Sequence, residues 1–339
     1  MYVLKKEKSL YYINRIYLYG GILLNTKNKI MTMLALSAGA ASATALLNKY
    51  IKLSSISRAL LKESEEYYFN WRLGNIHYTK SGTGKPLLLI HDLSYASSGY
   101  EWNQVVNTLK TKYTVYVIDL LGCGRSEKPN LTYTNYLYVQ LICDFIKSEI
   151  CHRTDIIATG ESSSLAIMAC NNSPELFDRL MLINPDGLSS CSQIPGKNSK
   201  FYKLILDLPI LGTLLYHIAS NHTFIENAFR DKYFYNPYGA KPIYMDHYHE
   251  AAHLGKYPIA IFSSMECKYT KCNISTALKK IDNSIFIVGG ADEAAIGPII
   301  EEYKIINSAI ESAVIPKTKH LPQLEEPEKV LELIKIFFS

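Results

Sequence analysis

From residue 65 to the C-terminus, short apolar runs alternate with longer stretches in which apolar residues recur at helical spacing. Tyr67–Trp71 and Asn75–Lys80 read as two strands turned at Leu73-Gly74. Leu87–His91, Tyr113–Asp119, Ile156–Ala158 and Arg179–Asn184 are continuous apolar runs, the pattern of strands covered on both faces. Helical stretches over Trp102–Leu109, Tyr136–Glu149 and Leu165–Cys170 separate them. Residues 188–278 break this rhythm, with helix-like pieces at Lys203–Ile218, Phe224–Arg230 and Lys241–His253 and no convincing strand. The alternation resumes with a strand at Ser284–Gly289, a helix at Ile296–Ile306, a strand at Ser312–Ile315 and a last helix at Glu326–Phe338. This order predicts an α/β fold: a mostly parallel sheet with helices on both faces, its core formed by 65–187 and 279–339, with 188–278 inserted as a helical lid.

The segment 1–64 has a different texture. Its first thirty residues are basic and Tyr-rich and suggest no regular element. An uncharged stretch over 31–47 follows, flanked by Lys27 and Lys29 before it and by Lys49, Lys52, Arg58 and Lys62 after it. It is rich in Ala, Ser and Thr, and it reads as a membrane anchor, a soluble surface helix or the apolar part of a signal peptide. Membrane association through 31–47 and a cytoplasmic location are both compatible with that composition. Met31 and Met33 are alternative starts.

Composition narrows the picture modestly. Apolar residues make up 48% and charged residues 20%, as in ordinary globular chains. The net charge of +5 is mostly lysine without an Arg-rich stripe, which disfavours nucleic acid as a partner. The 7 cysteines are scattered and lack CxxC spacing, so neither a disulfide framework nor a zinc ribbon is expected.

Candidate chemistry concentrates in three places. The run Asp155–Ser164 passes from a strand into Gly160-Glu161-Ser162-Ser163-Ser164, a G-x-S-x-S sequence that opens a helix. Small residues two before and two after a serine suit a sharp strand-to-helix turn, and the helix N-terminus favours a developing negative charge. An N-capping serine is the plain alternative. Asp119-Leu-Leu-Gly-Cys-Gly-Arg-Ser126, followed by Glu-Lys-Pro, forms a D-x-x-G-x-G-x-S loop, and His320 is followed by an apolar stretch and Glu-Glu-Pro327 at the start of the last helix.

In that order and on those elements, the three motifs resemble the serine-nucleophile branch of the α/β-hydrolase superfamily from about residue 65 onward. The resemblance implies Ser162 as nucleophile, His320 as general base and, from Gly289-Gly-Ala-Asp292, Asp292 as the acid that orients it; Asp186 and Glu293 are alternative acids. It implies an oxyanion hole from the amides of Leu93 and Ser163, no cofactor, and a small acyl substrate whose ester or related bond is cleaved through an acyl-enzyme. A serine nucleophile argues against dehalogenase or epoxide-hydrolase chemistry, in which a carboxylate attacks. One departure stands out: His91 is followed by Asp92, where the family usually has glycine. A carboxylate beside an oxyanion hole repels developing charge unless it points away, and this motivates a second reading as a hydrolase-like binding or signalling protein with little turnover.

Two further motifs compete less well. His249-Glu250-Ala251-Ala252-His253 is an H-E-x-x-H sequence, as in zinc peptidases, but it falls inside the presumed lid and lacks a following third histidine of the metzincin type. Ser81-Gly-Thr-Gly-Lys-Pro86 lacks the spacing of a P-loop and reads as a turn.

Overall fold

The computed structural model describes residues 3–62 and 65–339, with residues 3–26 described by backbone alone. Contacts divide it into two units, one ending at Ile51 and one spanning Lys52–Ser339. Helix α1 covers Val3–Ser55, so the N-terminal residues expected to be irregular are helical instead. That stretch contains no proline and is well supplied with helix formers such as Leu and Lys. The segment 31–47 lies within it, and Lys27–Ser55 is long and apolar enough to cross a membrane.

The second unit is built on one eight-stranded sheet in the order β1-β2-β4-β3-β5-β6-β7-β8. The strands are β1 (Tyr67–Trp71), β2 (Gly74–Ser81), β3 (Lys85–Ile90), β4 (Tyr113–Ile118), β5 (Thr154–Thr159), β6 (Phe177–Ile183), β7 (Ile285–Gly290) and β8 (Glu311–Ile315). β1 and β2 pair antiparallel, as do β2 and β4; the other pairings are parallel. Every residue of β5 and of β7 is buried, and both carry apolar runs, at Ile156–Ala158 and Ile285–Val288.

The helices after β3 are α2 (Val106–Leu109), α3 (Asn135–Phe145), α4 (Ser162–Asn172), α5 (Leu188–Cys191), α6 (Ser199–Leu206), α7 (Leu211–Ala219), α8 (His222–Ala228), α9 (Pro242–His253), α10 (Ile259–Glu266), α11 (Ser275–Lys280), α12 (Ile296–Ile306), α13 (Pro322–Glu325) and α14 (Pro327–Phe338). One face of the sheet packs with Leu141 and Phe145 of α3, Leu165 and Ile167 of α4 and Ile300 of α12. The other packs with Trp102, Leu109 of α2 and Val330 and Ile334 of α14. Helices α5 to α11 all lie between β6 and β7, and a separate apolar cluster joins Ile225, Phe229, Tyr244 and Tyr248 there to Leu321 and Leu324. The single helix expected over Lys203–Ile218 is two, bent by 90° between α6 and α7. Pro209 explains the break, because the residue before a proline is pushed out of the helical region.

Candidate active site

The chain turns most sharply at the end of β5. Strand β5 stops at Thr159, α4 starts at Ser162, and between them Gly160 takes a left-handed φ of +53°. A nucleophile elbow places its reactive side chain on such a strained turn. The turn here is therefore centred on Gly160, with Ala158 and Ser162 as the small residues two places to either side. The elbow frame lies two residues earlier than the G-x-S-x-S reading places it.

Ser162 accordingly does not stand proud of the sheet. It is fully buried in the first turn of α4, and its Oγ donates to the carbonyl oxygen of His91 at 2.7 Å. The structure does not bring Ser162 into a hydrogen bond with His320. The Ser163 amide, expected as an oxyanion donor, donates to the Gly160 carbonyl at 3.1 Å. The amide that follows the turn residue is that of Glu161, and it donates to Asp92 Oδ1 at 2.9 Å. Leu93 is buried on the loop after His91.

Asp92 fills the space in front of the turn. A Cβ built on Gly160 would lie 2.1 Å from Asp92 Oδ1 and 2.4 Å from its Cγ. No side chain at position 160 is compatible with Asp92 in this place, so a nucleophile on the turn and this aspartate exclude one another. The other carboxylate oxygen, Oδ2, lies 3.1 Å from His320 Nε2. On the far side of the imidazole, Nδ1 faces Glu293 Oε2 at 3.8 Å.

Glu293, rather than Asp292, is thus the acid facing His320. Asp292 is exposed and takes part through its backbone amide, which donates to the Thr318 carbonyl at 2.9 Å. Asp186 is paired with Lys271 at 2.6 Å, and the same lysine binds Glu161 at 2.7 Å.

Electrostatics follow from this arrangement. Burial opposes charge on His320, but the hydrogen bonds and charges of Asp92 and Glu293 outweigh it and hold the imidazole well above the ordinary histidine range. Burial also opposes charge on Asp92; His320 and the Glu161 amide outweigh it and hold the carboxyl below the ordinary range. Both shifts favour a carboxylate facing an imidazolium.

A fully buried carboxylate organises the site from behind. Glu101 is fully buried and accepts from the Asp92 amide at 3.0 Å, from Thr159 Oγ1 at 3.1 Å and from the Tyr248 hydroxyl at 2.9 Å. Burial raises its pKa. It links the Asp92 backbone, the end of β5 and helix α9. His91 also has a positioning part: Nε2 accepts from the Leu120 amide at 3.0 Å, which leaves Nδ1 to donate to the Asp92 carbonyl at 2.6 Å.

A cavity of 410 Å³ opens beside this group, lined mainly by Tyr95, Phe224, Ile225, Tyr233, Tyr248 and Phe262. The ring of Tyr233 stacks on His320 at 5.5 Å between centroids. The remaining motifs have structural parts. Asp119 accepts from the amides of Gly99 and Arg125 at 2.6 and 2.8 Å, which shapes the D-x-x-G-x-G-x-S loop. In the H-E-x-x-H sequence, Glu250 accepts from the amides of Leu60 and Leu61 at 2.8 and 3.2 Å, and His253 Nδ1 meets the His249 carbonyl at 2.8 Å. Among the described residues no three His, Cys, Asp or Glu side chains converge as metal ligands.

Neither Asp92 nor Gly160 was assigned a catalytic place from the sequence. The physical signal was present for both: within 158–164 only a glycine adopts a left-handed φ at little cost, and Asp92 replaces a residue without a side chain.

Known proteins share this arrangement of elements. The chain is 29% identical over 147 residues to a 2-hydroxy-6-oxo-6-(2'-aminophenyl)hexa-2,4-dienoic acid hydrolase of Metapseudomonas resinovorans, covering 42% of this chain and 49% of that protein. It is 28% identical over 109 residues to a soluble epoxide hydrolase of a Corynebacterium species, covering 32% and 37% respectively. The chain thus spans less than half the length of these curated relatives. Among solved structures, carboxylesterase CesB of Bacillus subtilis superposes with a TM-score of 0.65 over 88% of this chain and 99% of its own, at 18% identity, which speaks for the fold alone. A model of the alpha/beta hydrolase family matches residues 87–333, from β3 through the turn at Gly160 and the His320 loop into the last helix. On that match, and on the strand order already described, the chain belongs to the alpha/beta hydrolase family.

Proposed function

We propose that this protein is a hydrolase of apolar small molecules in which Asp92, rather than a serine, is the attacking group. The observation that carries the reading is the position of the Asp92 carboxylate, in the space a side chain at 160 would need, between the Glu161 amide and His320 Nε2. A carboxylate attacks a saturated electrophilic carbon to form an ester, so an epoxide or related alkyl electrophile suits it better than a carboxylic ester. The helices of 188–278 act as the lid in this reading, and the Tyr-lined cavity receives the apolar body of the substrate.

The steps balance. Asp92 Oδ2 bonds to a ring carbon of the epoxide, the carbon–oxygen bond of the ring breaks, and the alkoxide takes the proton of the His320 imidazolium. Esterification removes the negative charge of Asp92, and with it much of what holds the imidazole protonated, so neutral His320 becomes the base. It removes a proton from water, whose oxygen attacks the ester carbonyl carbon. The oxyanion develops on Oδ1, against the Glu161 amide. Collapse breaks the bond between carbonyl carbon and alkoxy oxygen, His320 protonates the diol that leaves, and Asp92 returns its proton to His320. Glu293 holds the imidazole throughout.

The oxygen balance supplies the test. In a single turnover of styrene oxide by the full chain in ¹⁸O-water, the diol is expected to leave unlabelled and the label to appear in the peptide containing Asp92. Label in the diol with none in that peptide would overturn the assignment. Fluorophosphonate labelling lost in Ser162→Ala would instead support an acyl-enzyme on Ser162, with the Ser163 and Leu93 amides as oxyanion donors.

A binding protein without turnover is the second reading. It is favoured by one contact, the occupation of the Glu161 amide by Asp92 Oδ1, which leaves that donor engaged before any substrate arrives. It predicts that epoxides and esters bind in the cavity and dissociate unchanged.

A further inference from the structure

Helix α6 is amphipathic with the usual sense reversed, and α7 also carries apolar side chains on its outward side. The lysine in the middle of α6, Lys203, is buried and binds Asp207 at 2.7 Å and Ser263 Oγ at 2.9 Å. Six large apolar residues on the two helices are exposed. Phe201, Tyr202 and Leu204 on α6 are 62%, 58% and 63% exposed, and Leu211, Leu215 and Ile218 on α7 are 51%, 39% and 57% exposed. A contiguous apolar face of this kind is uncommon on a monomeric soluble domain and marks an interaction surface.

From these observations we infer that the α6–α7 face of the insertion docks onto the surface of a lipid bilayer containing anionic lipid. Three features favour that occupant. The two helices and their bend together reach the length and apolar content of a membrane-embedded pair, yet with a 90° angle they fit an interfacial layer better than a span. The exposed charges at the start of this face, Lys197 and Lys200, are positive, and the one acidic residue between 192 and 220, Asp207, is neutralised by Lys203. Lysines beside an apolar helical face are the arrangement that anionic headgroups attract.

The third feature is the chain's entry into this unit. The first residues of this unit, which include the last turn of the helix long and apolar enough to cross a membrane, dock on residues 188–278: Lys52 Nζ on the Gly255 carbonyl, Ser55 Oγ against His249 at 3.5 Å and Arg58 on Asp246 at 2.6 Å. The first residues of this unit are thus fixed to the same stretch that carries the apolar face. Ile218 is followed directly by Ala219, which lines the Tyr-rich cavity, so the docked face adjoins the pocket.

The test uses the full chain in vesicles of phosphatidylcholine with phosphatidylglycerol, in a Cys151→Ser background, since Cys151 is the exposed cysteine. An environment-sensitive fluorophore is placed at Leu204→Cys or, as control, at Lys335→Cys on α14. Both positions are exposed, so neither change should prevent folding. Quenching by spin-labelled lipid is expected to be several-fold stronger at 204 than at 335 and to fall several-fold when Lys197 and Lys200 are replaced by glutamate. Equal quenching at the two positions, or a chain that stays out of the vesicle fraction, would overturn the inference. A blue shift at 204 that rises with protein concentration in detergent and is insensitive to spin-labelled lipid would assign the face to a second copy of the chain instead.

Discussion

Asp92→Asn is expected to lower kcat on an epoxide substrate by about 10³-fold or more, with KM changed little, because it removes the attacking atom and leaves the cavity intact. Asparagine keeps the shape of the side chain, and its carbonyl oxygen still accepts from the Glu161 amide. The fold should therefore survive, and stopped-flow and steady-state assays would report the loss. The informative partner is Ser162→Ala. Ser162 Oγ donates to the His91 carbonyl inside the protein, so its loss should cost about 1 kcal/mol of stability and alter kcat by no more than a few-fold. The reverse ranking, with Ser162→Ala inactive and Asp92→Asn active, would return the nucleophile to the serine that the motif first suggests.

The second large effect concerns the turn. Gly160→Ser should be strongly destabilising, because its Cβ would fall 2.1 Å from Asp92 Oδ1 and because a left-handed φ costs a non-glycine residue roughly 1 kcal/mol or more. Displacement of Asp92 from His320 and the Glu161 amide adds to that, so a total of about 3 kcal/mol is expected from chemical denaturation. Asp92→Gly in the same chain removes the clash and should restore much of the loss. The double variant also places a serine hydroxyl on the turn in front of His320, and it should gain labelling by a fluorophosphonate that the parent lacks. Independent, additive losses from the two changes would show that positions 92 and 160 do not compete for one space.

Much of the fold was legible in the sequence because its signals are local. Leu87–Ile90, Ile156–Ala158 and Ile285–Val288 are apolar on both faces, and a run that has no polar side has one home in an α/β protein. The break between α6 and α7 was less legible: Pro209 marks it, but the apolar period continues across it, and periodicity alone joins the two helices. The outward apolar face of α6 was hidden for the same reason, since a pattern cannot tell which side of a helix meets protein. The site was legible in its parts and not in its assembly. His320, the glycine-rich turn and the anomaly at Asp92 were all visible. The serine at 162 drew the elbow frame forward because G-x-S-x-S mimics the motif, whereas the backbone puts the turn where glycine relieves strain. Similarly, Asp292 fits the expected spacing, but the chain after β7 turns Glu293 toward the imidazole.

If Asp92 stands in the nucleophile's place as a carboxylate paired with His320, an NMR titration of His320 reveals the pairing without any substrate. The folded pKa of His320 is raised, so the stability it contributes is full below the ordinary histidine value and is lost as pH rises through the raised value. That of Asp92 is lowered, so its contribution is full above the ordinary aspartate value and is lost as pH falls through the lowered one. Between those limits the pair is intact. The His320 ring resonances should report an imidazolium that persists above the ordinary range of about 6.5, and in Asp92→Asn the midpoint should fall. A midpoint near the ordinary value in the parent, unmoved by Asp92→Asn but shifted by Ser162→Ala, would contradict the pairing and put the serine back at the centre of the site.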